Sequence, residues 1–190
     1  MAKVVREPLT TVYAFLGRFK FVIFFAVAAA IVLLVLGVEW HMLVSFPVLF
    51  LASVFSMYYR RFMHVPPAFE LVSLSTVIVG MAYGPVIGAV FGAVAGLAAE
   101  IVSGGIDAFV VSYVPARAVM GLLAGFFPFA NVIVLGVVLV AVYNMLAQSL
   151  YLLQGDPEAK IKTAVFVFFN LGINFVIFSF LGDFTLSLLR

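Results

Sequence analysis

Gly80-Met81-Ala82-Tyr83-Gly84-Pro85-Val86-Ile87-Gly88-Ala89-Val90-Phe91-Gly92-Ala93-Val94-Ala95-Gly96 sets a glycine at every fourth position of an apolar stretch. Small residues four apart share one helical face, and such a face lets a second helix approach closely inside a membrane, where packing drives association. The stretch cannot be one straight helix, because Pro85 brings no amide donor and disfavours helical geometry at Gly84. Gly84-Pro85 therefore reads as a tight turn between two spans. The helix that follows carries Gly88, Gly92 and Gly96 as a smooth packing seam and ends near Glu100.

Composition assigns the class around this stretch. Of 190 residues, 66% are hydrophobic and 9% charged, with 22 Phe, and the mean hydropathy is +1.31. A soluble domain would carry about a quarter charged residues. The chain reads as one integral membrane domain over 1–190, all-α, a polytopic bundle of six or seven spans. With no Cys, disulfides, thiol catalysis and cysteine metal sites are excluded. The net charge of +2 comes from basic residues beside hydrophobic segments, which mark sidedness and point to membrane lipid, not to nucleic acid.

Residues 1–20 hold Lys3, Arg6, Arg18 and Lys20 against Glu7, a basic lead-in that the positive-inside tendency makes cytoplasmic. No cleavable signal peptide of the usual form is expected there. Seven apolar segments follow, at about 21–38, 42–59, 69–83, 84–102, 108–127, 131–153 and 163–187. Arg60-Arg61 and Lys160 with Lys162 fall at loops that would share the cytoplasmic side with the amino terminus. The third segment is short and carries Glu70, Ser73, Ser75 and Thr76, so a broken or re-entrant path is open beside a full span. Pro115 is expected to interrupt the fifth.

Ionisable and amide side chains at membrane depth are costly, so each is either functional or part of a structural polar contact. Glu100 and Arg117 flank one loop and are candidates to pair, either as a structural ion pair or as an anchor for a charged ligand or subunit. Asn144 and Gln148 lie four apart on one helix, as do Asn170 and Asn174 on another. Facing each other, they would offer donors and acceptors to an uncharged polar ligand in an apolar pocket, or serve as interhelical hydrogen bonds. Glu70 is open between a helix cap, a ligand contact and a headgroup contact. His41 and His64 sit far apart, so no metal site is expected, and no cofactor. No HExxH, GxSxG, phosphate loop or serine–lysine arrangement occurs, which makes an enzyme the weaker reading.

Phe69-Glu70-Leu71-Val72-Ser73-Leu74-Ser75-Thr76-Val77-Ile78-Val79-Gly80, the Gly84-Pro85 turn, and Val114-Pro115-Ala116-Arg117 running to Gly121-Leu122-Leu123-Ala124-Gly125 resemble the substrate-binding S components of energy-coupling-factor transporters. The resemblance covers about residues 69–127. It implies a small membrane subunit that captures a vitamin or vitamin precursor from outside and delivers it with a transmembrane coupling subunit and two ATPase subunits. It further implies a docking face with alanines four apart, which Ala26 and Ala30 match. Metal-specific members typically use an amino-terminal histidine, which this chain lacks, so the resemblance implies an organic ligand in a pocket facing outside, lined by the last two spans and the Arg117 segment. Family members usually have six spans, and a seventh segment departs from that pattern. Gly96-Leu97-Ala98-Ala99-Glu100-Ile101-Val102-Ser103-Gly104-Gly105 also resembles the rod-shape-determining, MreD-type membrane subunit of bacterial wall synthesis. That alternative implies a scaffold between protein partners.

Overall fold

A computed structural model of the chain describes residues 40–62, 69–106, 110–149 and 157–190. The Ala26 and Ala30 face, the basic lead-in, the first apolar segment and His64 lie outside the described residues. Among those described, every regular element is helical: α1 Trp40–Ser56, a 3-10 turn Tyr58–Arg61, α2 Val72–Tyr83, α3 Pro85–Ser103, α4 Val110–Gly125, α5 Val132–Ala147 and α6 Pro157–Ile177. From α6 the chain continues through a π-helical turn, Phe178–Gly182, into α7, Asp183–Leu189. Among the described residues, three stretches are long and apolar enough to cross a membrane: His41–Arg61, Pro85–Ser103 and Lys160–Leu189. Helices α2, α4 and α5 are apolar but shorter, so the structure supports a membrane location without fixing a count of six or seven spans.

The Gly84-Pro85 turn forms as the sequence predicts. Gly84 adopts φ 94°, ψ 173°, a conformation that costs an L side chain strain and glycine little. Its amide donates to the Gly80 carbonyl at 2.8 Å, and its own carbonyl accepts from Gly88 N at 3.0 Å. Pro85 opens α3 at a position where no donor is needed. Two helices thus join with a single residue between them.

The seam on α3 meets α4 backbone to backbone. A Cβ built on Gly88 would fall on the Gly121 carbonyl oxygen, and one on Gly92 would fall on the Arg117 carbonyl oxygen. On the other side, a Cβ on Gly125 would strike the Pro85 backbone. Gly96, one turn further, packs instead on the Arg117 side chain, whose Cγ would lie 3.1 Å from such a Cβ. The partner of the predicted seam is therefore the Arg117–Gly121 stretch of α4, and Gly125, one turn beyond, meets the Gly84-Pro85 turn.

Helix α2 is the buried axis. Its residues Val72 through Met81 are all buried, with α3, α4 and α5 around it. At 12 residues it rises about 18 Å, well short of a ~30 Å hydrocarbon core. Within its bounds it is one unbroken helix. The Pro115 interruption is also absent, since α4 runs through it. Pro115 removes only the bond to the Val111 carbonyl, one residue from the helix start, so the loss stays local.

Helix α5 begins where Asn131 predicts. The Asn131 Oδ1 accepts from Ile133 N and Val134 N, each at 3.0 Å. Asn131→Ala should cost about 1 kcal/mol, read as a lowered melting temperature with unchanged elution volume. Beyond it, the fully buried Phe178 ring of the π-helical turn covers Gly136. Arg190 closes the end of α7 against the loop before α5, donating to the Pro128 carbonyl, with its guanidinium 6.0 Å from the Phe129 ring centre.

The outer faces carry large apolar side chains at helical spacing: Val48, Leu51 and Phe55 on α1, Val86, Val90, Val94, Leu97 and Ile101 on α3, and Phe168, Phe175 and Phe184 along α6 and α7. The polar side chains Glu70, Ser73, Thr76, Arg117, Asn144, Asn170 and Asn174 are buried. An apolar exterior over a core that also buries charged and amide side chains suits lipid as the solvent, since a water-facing surface would not leave such patches bare.

Candidate functional site

Two polar clusters stand side by side inside the bundle. The first is built on Glu70, just before α2. Its Oε2 accepts from Ser73 N at 2.9 Å, which caps the helix, and its Oε1 accepts from the Ser73 hydroxyl. Arg117 Nη2 lies 3.1 Å from Glu70 Oε1, and Arg117 Nη1 donates to Ser73 Oγ. The Tyr143 ring covers the guanidinium, with its centre 3.8 Å from Cζ. Glu70 exposes 1% and Arg117 5%. A planar guanidinium that meets a carboxylate, a hydroxyl and a ring face holds its charge in one fixed place.

The expectation that Arg117 faces Glu100 is revised by this geometry: Glu70 holds Arg117. Glu100, at the end of α3, pairs with Arg60 of the 3-10 turn, Oε2 to Nη1 at 2.9 Å. Arg60 also reaches Ser103 Oγ at 3.4 Å. Glu100 and Arg117 still line a common gap with Tyr113 and Tyr143, about 10 Å³ in volume, which is room for about one water. Of the three roles open to Glu70 in the sequence, the structure shows the cap, and it adds an ion pair with Arg117 that the sequence did not offer.

The second cluster is the amide set. Asn144 Nδ2 donates to the Val140 carbonyl at 2.9 Å and to Asn170 Oδ1 at 3.0 Å. Asn174 Nδ2 donates to the Asn170 carbonyl at 2.9 Å. Gln148 stands at the C-terminal cap of α5, its backbone N–H donating to the Asn144 backbone carbonyl at 2.9 Å. The structure thus joins Asn144 to Asn170 directly, sets Asn174 one turn deeper on α6, and leaves Gln148 at the rim. Asn144 Oδ1, Asn174 Oδ1 and Thr76 Oγ1 are buried without a hydrogen-bond partner. Each such group costs about 1–3 kcal/mol unless something completes it.

Between α5 and α6 runs a cleft of about 490 Å³, lined by Ala141, Asn144, Met145, Gln148, Thr163, Ala164, Val167, Phe168 and Leu171. Gln148 and Thr163 lie at the end where α5 stops and α6 starts, and Asn144 stands one turn in, near mid-cleft. Ala141 and Leu171 close the other end. Neighbouring residues on α5 serve the two clusters: Tyr143 covers Arg117, and Asn144 holds Asn170. Thr163, Ser73, Tyr143 and Arg60 were not singled out as site residues by the sequence, because their roles depend on which helix each one faces.

Helix directions put both clusters at one end of the bundle. Arg60 with Glu100 joins the ends of α1 and α3, and Ser112 Oγ donates to the Ala147 carbonyl at 3.0 Å, joining the start of α4 to the end of α5. Lys160 and Lys162 extend from the start of α6 at the same end. There Lys162 Nζ lies 2.6 Å from Glu158 Oε1, a hydrogen bond that holds the exposed Glu158 carboxyl below its ordinary range. The Gly84 turn, Asn131 and Arg190 mark the opposite end. No family model, curated protein or solved structure matches the chain.

Proposed function

We propose that the chain is a multi-pass protein of the prokaryotic cytoplasmic membrane that binds a small organic micronutrient, such as a vitamin or precursor. It would serve uptake with a transmembrane coupling subunit and two ATPase subunits, and perform no catalysis of its own. The observation that carries the binding reading is the α5–α6 cleft with Asn144 at its floor. Apolar walls with a few convergent polar groups, one of them an unsatisfied buried acceptor, are the usual make-up of a small-molecule site. The partners and the uptake role rest on the family resemblance alone. Arg60, Arg61, Lys160 and Lys162 make the polar end of this cleft cytoplasmic by the positive-inside tendency. On that reading, the polar end of the cleft lies on the delivery side of the membrane in the conformer described, and capture from outside requires a second arrangement.

Native mass spectrometry of the detergent-purified protein, with small-molecule identification after denaturation, tests this. A stoichiometric bound compound is expected on the wild type, and its loss is expected from Asn144→Leu/Asn170→Leu. Replacing both partners of one hydrogen bond by apolar groups leaves no new orphan between them, so melting should be nearly unchanged. A compound retained equally by the double variant would reject this cleft as its site.

The scaffold reading, an MreD-like subunit of a wall or shape complex, draws on a different observation. Every contact of Arg117 with Glu70, Ser73 and Tyr143 is internal, and α3 locks to α4 through backbone. A pillar of that kind suits a fixed docking partner. An empty protein that carries a second membrane polypeptide, and stays empty when candidate compounds are added back, would favour it.

A further inference from the structure

Resting on the binding reading, the geometry points to a substrate class for the α5–α6 cleft: we propose that it takes an uncharged, lipid-soluble molecule bearing a hydroxyl or N–H donor, received sideways from the bilayer. Three observations carry this. Both helices that frame the cleft show apolar side chains outward, and the cleft opens between Met145 and Phe168, each 75% exposed. Val138, Leu146, Val165 and Phe169 continue that apolar surface on either side. A ligand arriving this way crosses hydrocarbon, and a charged one would lose its hydration with no opposite charge among the lining residues to replace it.

The cleft is graded along its length. In antiparallel helices, Gln148 stands level with Thr163, and Ala141 level with Leu171. Seven residues of α5 separate the two ends, about 10 Å of helix rise. The polar end lies nearest the exposed Lys160 and Lys162, where the headgroup region would be, and the apolar end points inward. This is the grading of an amphiphile whose polar end lies between Gln148 and Asn144, one turn apart, and whose body lies in the apolar zone.

Asn144 fixes the sense of the hydrogen bond. Its Nδ2 is used twice, toward Val140 O and Asn170 Oδ1, and its Oδ1 has no partner. The group still wanting is a donor, which a hydroxyl or N–H supplies and an ether, ester or hydrocarbon does not.

The same chemistry could reach the cleft from the bilayer or from water, and the test separates the two. The full chain is placed in phosphatidylcholine nanodiscs and titrated with tritiated farnesol, with farnesene (the matching hydrocarbon) and with the short, water-soluble alcohol isoprenol. Saturable farnesol binding is expected, at least tenfold tighter than farnesene, the worth of about one hydrogen bond, with isoprenol weaker than farnesol. Ala164→Trp and Met145→Trp, each at an exposed wall position, should abolish binding without lowering melting. Asn144→Leu/Asn170→Leu should erase the preference for the alcohol over the hydrocarbon. Equal binding of farnesol and farnesene, tighter binding of isoprenol, or indifference to both tryptophans overturns the substrate class. A water-soluble compound that copurifies with the wild type, is lost from the double variant and resists displacement by farnesol would also overturn it, while leaving the binding reading intact. No copurifying compound and no farnesol binding would remove both.

Discussion

Gly121→Val is expected to abolish monodisperse, folded protein, and Gly121→Ala to cost at least about 3 kcal/mol, the upper end of what overpacking does in a close-packed interior. The reason lies in what the added carbon meets. A Cβ on Gly121 would overlap the carbonyl of Gly88 and come within 2.9 Å of Ala89 N. Both obstacles are main chain inside a helix, so no rotamer change can yield. Relief requires α3 and α4 to separate, and separation breaks the contacts of Gly92 with Arg117 and of Gly125 with Pro85 at the same time. Where helices associate by packing instead of by water exclusion, nothing compensates for the lost contact. Gly172→Ala is the matched control: a Cβ there meets nothing within 4 Å, and helix propensity alone should leave it neutral or up to about 1 kcal/mol more stable. Size-exclusion profiles and thermal unfolding in one detergent measure all three. A Gly121→Ala protein that melts with the wild type would refute backbone contact between α3 and α4.

Local features were legible before the structure, and pairings were not. Gly84-Pro85 carries its turn in the covalent chemistry of two residues, and Asn131 caps α5 with atoms two and three residues away. The seam of Gly88, Gly92 and Gly96 announced a close neighbour without saying which. Arg117 was matched to Glu100 because they flank the same loop, yet the partner depends on register across helices. The head of α2 brings Glu70 level with Arg117, while Glu100 meets the 3-10 turn after α1. Pro115 read as a break because a proline in a helix interior usually is one; its position near the start of α4 limits the loss to one bond. The asparagines could be predicted to share a helix face, but not that Asn144 would spend its donor on Asn170 and keep its acceptor free. An outward pocket was expected from the family resemblance. Helix direction sets the polar end of the cleft beside Lys160 and Lys162, a consequence of α5 ending, and α6 beginning, around that loop.

Arg117→Met should be the most damaging single change at a polar residue, at about 3–5 kcal/mol, because it leaves the Glu70 carboxylate buried without its cation. Glu70→Gln reverses the imbalance, stranding the guanidinium under Tyr143, and should cost a similar amount. Joined as Glu70→Gln/Arg117→Met, the two changes remove both charges and keep a side-chain oxygen able to accept from Ser73 N. The double variant should therefore regain much of the loss, with a coupling of about 2 kcal/mol or more between the positions. Thermal unfolding of the four proteins measures that coupling, and additive losses would deny the ion pair any shared role. Ligand retention on the same four separates support from anchoring. If Arg117 serves only to hold α4 against α2, the double variant should recover its bound compound along with its melting temperature. If Arg117 meets the ligand, melting should return and retention should not, because no refolding of the bundle restores a missing cation. The cleft between α5 and α6 has no charged lining residue, so the first outcome is the expected one.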